Sequence, residues 1–333
     1  MNKKIKIITM LLTALLVIGL VGCGKTTPTE STTDTPGEDT PVGTTDEFEK
    51  IAFIVADMAN ESQAFASKQF QQYAKDYNFE VVILDAKGDA QAETQAVKNA
   101  IAQGVKAIFV NPNDINAIIP ALTEAKQVGI VVGMFSSDLP ADKTDARDFF
   151  VGVNDNMAGE AAAQAFLNKF PDGANIVEIG GQSGHDAQIK RHDGFNNIIS
   201  GTNINVIDFK ATNTWSTAEA MAIMEDMIVK NGDEIDGVFC HWDNGATGVI
   251  QALMAADMKD VFVVGVDGCR AGFNQVTSGD QSVTIMQNFT TMTQKSLEMA
   301  RKVIDGEAVE QQNFVPLDIV DIGNIDTFTA PEW

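Results

Sequence analysis

The chain has 333 residues, 44% of them hydrophobic, with 23 basic against 46 acidic side chains and a formal net charge of -23 at pH 7. That balance excludes the basic footprint a nucleic-acid partner needs, and the length admits two domains of ordinary size. The three cysteines, Cys23, Cys240 and Cys269, make neither a disulfide framework nor a Cys/His metal pattern. Cys240 and Cys269 could form a single bridge or remain as two buried thiols, and we expect the thiols.

The chain opens as an export leader. Lys3, Lys4 and Lys6 precede an apolar run over residues 7–21, short of the roughly 20 apolar residues of a spanning helix and followed by polar sequence. The Leu20-Val21-Gly22-Cys23 stretch resembles a bacterial lipobox, in which the cysteine takes a diacylglyceryl group and becomes the first mature residue. At about 0.8 kcal/mol per buried CH2, two acyl chains hold a protein on a membrane durably and one does not. Residues 1–22 are thus a predicted lipoprotein signal peptide, Cys23 the lipidation site, and 23–47 a flexible Thr/Pro-rich tether. Loss of the three leader lysines moves the charge from -23 to about -26, and the mature protein is expected on the outer face of the cytoplasmic membrane. Gly19-Leu20-Val21-Gly22-Cys23-Gly24-Lys25-Thr26 has the spelling of a phosphate-binding P-loop. We reject that reading because such a loop must follow a strand and open a helix, and this one does neither.

From residue 50 onward, short runs rich in Val, Ile and Phe alternate with longer amphipathic stretches, the signature of repeated βα units around parallel sheets. Strands are predicted at 51–55, 81–85, 107–110, 130–135, 149–153, 176–180, 206–209, 238–240, 261–266 and 283–286. Helices are predicted at 64–77, 90–103, 115–127, 157–170, 187–199, 218–229, 245–256 and 292–304. The stripe of Ala218, Met221, Ala222, Met224 and Ile228 recurs at helical spacing and is assigned to core packing. Ten parallel strands suit two doubly wound α/β lobes of about five strands each better than one wide sheet, and two lobes imply a cleft.

Ligands of open parallel sheets bind beyond the carboxyl ends of the strands. There the sequence places Asp57-Met58-Ala59-Asn60, Asn111-Pro112-Asn113-Asp114, Ser136-Ser137-Asp138, Gln182-Ser183-Gly184-His185-Asp186, Asn213-Thr214-Trp215, His241-Trp242-Asp243-Asn244, Asp267-Gly268 and Gln287-Asn288. Asp, Asn and Ser at such turns commonly cap the next helix, and Asp114, Ser216 and Asp243 are predicted caps. Trp215 and Trp242 are harder to explain that way, since they fall in loops rather than strands. A flat apolar face beside carboxylates and amides can read both the C–H face and the hydroxyl edge of a polyol.

Taken together, these segments resemble the ribose/galactose type of type I periplasmic binding proteins, which serve ABC importers. The likeness is carried by Ile51-Ala52-Phe53-Ile54-Val55, Val105-Lys106-Ala107-Ile108-Phe109-Val110-Asn111-Pro112, Asp155-Asn156, Arg191-His192-Asp193-Gly194-Phe195, Val264-Gly265-Val266-Asp267-Gly268 and Thr284-Ile285-Met286-Gln287, in that order and spacing. It implies two lobes, 48–153 with 288–317 and 154–287 with 318–333, joined by crossovers near Asn154, Asn288 and Asp318. It also implies closure on a ligand by hinge motion, docking of the closed form on a permease, and a monomer.

Position by position, the resemblance implies ligand contacts at Asn60, Asp267 and Gln287, and a stacking face at Trp215 where ribose-type members carry phenylalanine. Trp242 stands where they carry asparagine, so the pocket is altered. His185 and Asp186 resemble a His/Asp pair of galactose-type members. Ser136-Ser137 replaces an Asp-Arg pair, Ile189 replaces a second arginine, and Arg191 matches an arginine that is often structural. Without those guanidinium forks ribose is a poor ligand, whereas the acceptors Asp138, Asp186, Asp243 and Asp267 suit a neutral polyhydroxy compound. The ligand-binding candidates are Asn60, Ser62, Gln63, Ser136, Ser137, Asp138, His185, Asp186, Trp215, Trp242, Asp243, Asp267 and Gln287. No catalytic residue, metal or cofactor is expected.

An enzyme has little support. Gly181-Gln182-Ser183-Gly184-His185 lacks the spelling of a nucleophile elbow, and G-x-G-x-x-G does not occur. A receptor that passes ligand occupancy to a membrane signalling partner would use the same cleft and stands as the alternative to transport. The export leader and the lack of a DNA-binding headpiece exclude a repressor of related fold.

Overall fold

A computed structural model of the protein describes residues 48–333, so the predicted leader, Cys23, the P-loop spelling and the whole of the predicted tether, residues 23–47, lie outside the described residues. The first lobe begins with β1 (Glu49–Val55), α1 (Glu61–Tyr73), β2 (Phe79–Asp85), α2 (Ala90–Ala102), β3 (Ala107–Asn111), α3 (Ile119–Gln127), β4 (Val131–Phe135) and β5 (Phe149–Gly152). Along β1, Ile51, Phe53 and Val55 join one apolar cluster while Ala52 and Ile54 join another. Both faces are buried, as a parallel sheet covered on each side requires. One cluster takes in α1, the other α2 and α3.

The second lobe comprises α4 (Asp155–Lys169), β6 (Ala174–Gln182), α5 (Asp186–Ile199), β7 (Ile204–Thr212), α6 (Thr217–Asn231), β8 (Gly237–Cys240), α7 (Asp243–Ala255), β9 (Phe262–Asp267), α8 (Arg270–Ser278) and β10 (Val283–Gln287). The chain ends with α9 (Phe289–Ile304), β11 (Gln312–Phe314) and β12 (Leu317–Asp321). The same alternation recurs here, with Val177 and Ile179 buried among side chains of α6 and α7, and Ile176 among those of α4 and α5.

The sheets run β11-β5-β4-β3-β1-β2 and β12-β10-β9-β8-β6-β7. Every pairing is parallel except that of β12 on β10. The chain therefore passes between sheets three times: after β5, between β10 and α9, whose Met292 and Leu297 join the first lobe's core, and between β11 and β12. Strands β11 and β12 and helix α8 were not expected. Cys240 and Cys269 are free, buried thiols.

Helices α4 and α5 meet through glycine. A Cβ on Gly159 would run into the Arg191 carbonyl oxygen, and one on Gly194 into that of Asn156. This contact fixes the height of α5, and with it Arg191, against the sheet. Gly159→Val should cost about 1–3 kcal/mol of stability by overpacking. Urea unfolding measures it, and a loss below about 0.5 kcal/mol would mean that the helix backbones do not touch.

Candidate ligand-binding site

Turns from both lobes line a common cavity of about 440 Å³, within the range of small-molecule sites. Asn60 shows how local structure aims a side chain. As N-cap of α1 it accepts at Oδ1 from the Ser62 and Gln63 amides and from Ser62 Oγ, which leaves its Nδ2 as donor. Across the cavity His185 caps α5 by accepting the Ala187 amide at Nδ1. Burial, assisted by Arg191 and Lys190, pushes its pKa down to about 4, so the imidazole is neutral at pH 7. Its Nε2 lies 3.4 Å from Ser137 Oγ of the first lobe.

The two loop tryptophans meet edge to face, with ring centroids 5.5 Å apart. Each indole occupies space that only a glycine leaves. A Cβ on Gly181 would overlap the Trp215 ring, and one on Gly245 the Trp242 ring. Trp215 also receives the His185 ring edge-on at 5.3 Å and the Arg191 guanidinium at 5.9 Å. The result is a rigid aromatic wall on the second lobe.

The floor is a buried polar network. Asp267 ends β9 with φ +125°, a conformation that is strained for any residue with a Cβ and that tends to occur at functional sites. Gln287, at the end of β10, donates to Asp267 Oδ1 at 2.7 Å. Beneath them Asp243 is fully buried and accepts from the Gly268 and Cys269 amides, Thr284 Oγ1 and Gln281 Nε2. Four donors keep this carboxylate in place and so hold the turn that carries Asp267. Burial nevertheless pushes Asp243 up to about 6 and Asp267 up to about 8.

Three lining side chains have a buried polar atom without a partner in the protein: the acceptors Asn111 Oδ1 and Gln287 Oε1 and the donor Trp242 Nε1. Unpaired buried groups cost free energy, so their convergence on one cavity marks a site built for a ligand's donors and acceptors. The described residues include no metal-binding cluster of His, Cys, Asp and Glu.

The sequence profile for a periplasmic binding protein domain matches residues 51–308. The chain belongs to the periplasmic binding protein family. Its two lobes and three crossings are those of type I members. It is 28% identical over 270 residues to the ribose import binding protein of Bacillus subtilis, covering 81% of this chain and 86% of that one. It is also 28% identical over 319 residues to a xylitol-binding protein of Mycolicibacterium smegmatis, covering 96% and 88%. A solute-binding protein from Bacillus halodurans, solved with bound myo-inositol, superposes with a TM-score of 0.78 at 26% identity, covering 85% of this chain and 97% of that one.

Within this binding protein, Asn60, Ser62, Gln63, Ser136, His185, Trp215, Trp242, Asp267 and Gln287 line the cavity. Four sequence candidates do not. Ser137 is buried beside His185. Asp138 is buried in a bidentate pair with Arg147, at 2.5 and 2.8 Å. Asp186 pairs with Lys190 one turn along α5, at 2.6 Å. Asp243 supports the floor from below and is not the expected cap, whereas Ser216 caps α6 and Asp114 accepts two amides of its own turn. The acceptor-rich, cation-poor cleft read from the sequence is thereby corrected: of those four carboxylates only Asp267 lines the cavity, and Arg191 joins it.

Arg191 is both structural and cavity-lining. It bonds Asp155 Oδ1 and the His241 carbonyl oxygen while forming part of the wall. Asn111, Glu61, Asn244 and Trp333 also line the site without having been candidates. Asn111 ends a strand whose turn the sequence did flag. Glu61 and Asn244 bond across the cleft at 2.7 Å, a pairing between lobes for which sequence spacing carries no signal.

Asp138→Ala would strand the buried Arg147 guanidinium and should cost about 3–5 kcal/mol of stability. Ligand affinity of the folded variant should stay within about threefold. Chemical unfolding and titration calorimetry test the two halves separately, and a lost ligand with intact stability would return Asp138 to the site. For Asp267 the folded pKa of about 8 lies above the ordinary value of 3.8. The folded state then holds the extra proton between those values, so this contribution to stability is complete below about pH 4 and is lost as pH rises through about 8. Without added ligand, Asp267→Asn should flatten that decline, which is on the order of a few kcal/mol. Equal pH slopes for the two proteins in unfolding titrations would refute it.

Proposed function

We propose that this chain is the substrate-binding lipoprotein of an ABC-type importer and that it captures a small neutral sugar or polyol between its lobes and delivers it to the permease. The observation that carries the proposal is the set of three partnerless polar atoms beside two packed indoles, because a polyhydroxy compound supplies both donors and acceptors around an apolar C–H face. A neutral ligand also suits the charges present. Asp267, with its raised pKa, is largely protonated at pH 7, and Arg191 is already paired with Asp155. The names of the relatives, a ribose import and a xylitol-binding protein, favour the same ligand class.

In this reading the lobes are 48–153 with 288–317 and 154–287 with 318–333, hinged at the crossings. The contacts are made by the nine cavity-lining candidates together with Asn111 and Arg191. Cys23 carries the lipid that keeps a monomeric protein on the outer face of the cytoplasmic membrane.

A thermal-shift panel of ribitol, xylitol, D-xylose, D-ribose and myo-inositol tests the ligand class. A ligand that binds only the folded state stabilises it by RT ln(1 + [L]/Kd), about 2.7 kcal/mol at a hundredfold excess over Kd. At least one polyol or inositol should raise the melting temperature, and D-ribose should do so least. Trp215→Ala should abolish the shift without unfolding the protein. A panel with no response, or one in which only charged solutes respond, would end the proposal.

A further inference from the structure

Both lobes build the cleft from the turns of their sheets, yet one wall comes from elsewhere. Trp333 lies on the irregular segment 328–333 that follows the last short helical turn. Its indole stacks on Phe65 of α1 at 5.7 Å and meets Phe289 of α9 edge-on at 5.1 Å. Its carbonyl oxygen accepts the Arg270 amide, where α8 of the second lobe begins, and Phe328 packs on the cluster around Phe273 and Val276. The segment is thus anchored on the second lobe and lays an aromatic ring on the first.

That ring has cavities on more than one side. Together with Gln287 and Phe289 it lines the central cavity, and the same three residues line an adjoining hollow of about 390 Å³ that extends past Gln69, Tyr73 and Thr290. Phe289 is buried in the first lobe's core and Gln287 is tied to Asp267. Trp333 is half-exposed, belongs to neither sheet nor helix and packs on the outside of the first lobe's core, so of the three it is the one whose replacement disturbs that core least. Asn60, Ser62 and Gln63 at the start of α1 line the same cavity with polar side chains, and Phe289 and Trp333 are the aromatic groups that line both hollows.

We propose that Trp333 sets the upper size of the ligand, confining the cavity to compounds of monosaccharide size, and that its removal joins the two hollows into a site that accepts a disaccharide-length polyol. This rests on the sugar or polyol reading above and adds to it the residue that limits ligand length. The assignment is one of specificity, since Asp267, Gln287 and the loop tryptophans would still hold the inner part of a longer ligand.

The test uses the full-length chain in detergent, with Trp333→Ala and Trp333→Phe, and titration calorimetry against xylitol, myo-inositol, maltitol and lactitol. The parent should bind xylitol or myo-inositol and neither disaccharide alditol. Trp333→Ala should gain maltitol or lactitol and lose tenfold or more on the small probe, while Trp333→Phe should retain the small probe and exclude the large ones. Melting curves confirm that each variant folds, and Trp333→Val replaces the alanine variant if that one does not. A folded alanine or valine variant that takes neither alditol overturns the proposal, as does a parent that already binds one. A parent that binds none of the four probes, and no sugar of the thermal-shift panel either, sinks the ligand reading itself and the size assignment with it; where only such a sugar binds, it replaces the small probe, and a folded variant that then gains neither alditol overturns the size assignment alone.

Discussion

The cleft depends on a carboxylate that does not face it. Asp243 lies under the floor and gathers four donors from two neighbouring segments, the Gly268-Cys269 turn and the side chains of Gln281 and Thr284. Burying an ionisable group without partners is costly, so the arrangement is stable only while all the donors stay in place. The donors are in turn held by the carboxylate. Glycine is forced at Gly265 and Gly272, where a Cβ would overlap Asp243. The strained turn at Asp267 is what this network supports, and Asp267 presents its carboxyl group to the cavity with Gln287 bound to its side.

A second constraint acts on the aromatic wall. Trp215 and Trp242 are each enclosed by the backbone of a glycine, Gly181 and Gly245, and by each other. Close packing leaves an indole few rotamers, so the wall is set before a ligand arrives and little side-chain entropy remains to be lost on binding. The first lobe contributes amides and hydroxyls on helix-capping turns, with Asn60 the clearest case. The second lobe thus joins a flat apolar wall to the polar floor of Asp267 and Gln287, the first adds directional amides and hydroxyls, and a sugar or polyol has surfaces that match both.

The sequence read correctly where burial is two-sided. Strands such as β1, β3 and β9 are continuous apolar runs because both their faces are covered, and all ten predicted strands are present. The strands β11 and β12 escaped because their side chains are largely exposed and they are held by backbone pairing to β5 and β10. Helix α8 escaped because only Gly272, Phe273 and Val276 are buried along it. At the site, position in the βα unit was legible and side-chain direction was not. Asp243 and Asp267 both follow strands, yet one opens a helix facing inward and the other ends a strand facing the cavity. Asp138 looked like Asp267 until Arg147, nine residues on, was found against it. Trp333 follows no periodic pattern; its one signal was a lone indole in a polar tail.

Each of the three histidines is tied into the hydrogen bonds of the fold. His185 lines the cavity, but its Nδ1 is committed to the Ala187 amide and its low pKa leaves it a poor proton acceptor at neutral pH. His192 and His241 both turn to the buried Glu178, at 3.0 and 2.9 Å. Asp267 lines the cavity with Gln287 on one oxygen. Such a group can form a strong hydrogen bond to a ligand hydroxyl. Under the proposed reading, release would require the lobes to part, which breaks the cross-cleft bonds of Glu61 with Asn244 and Ser137 with His185.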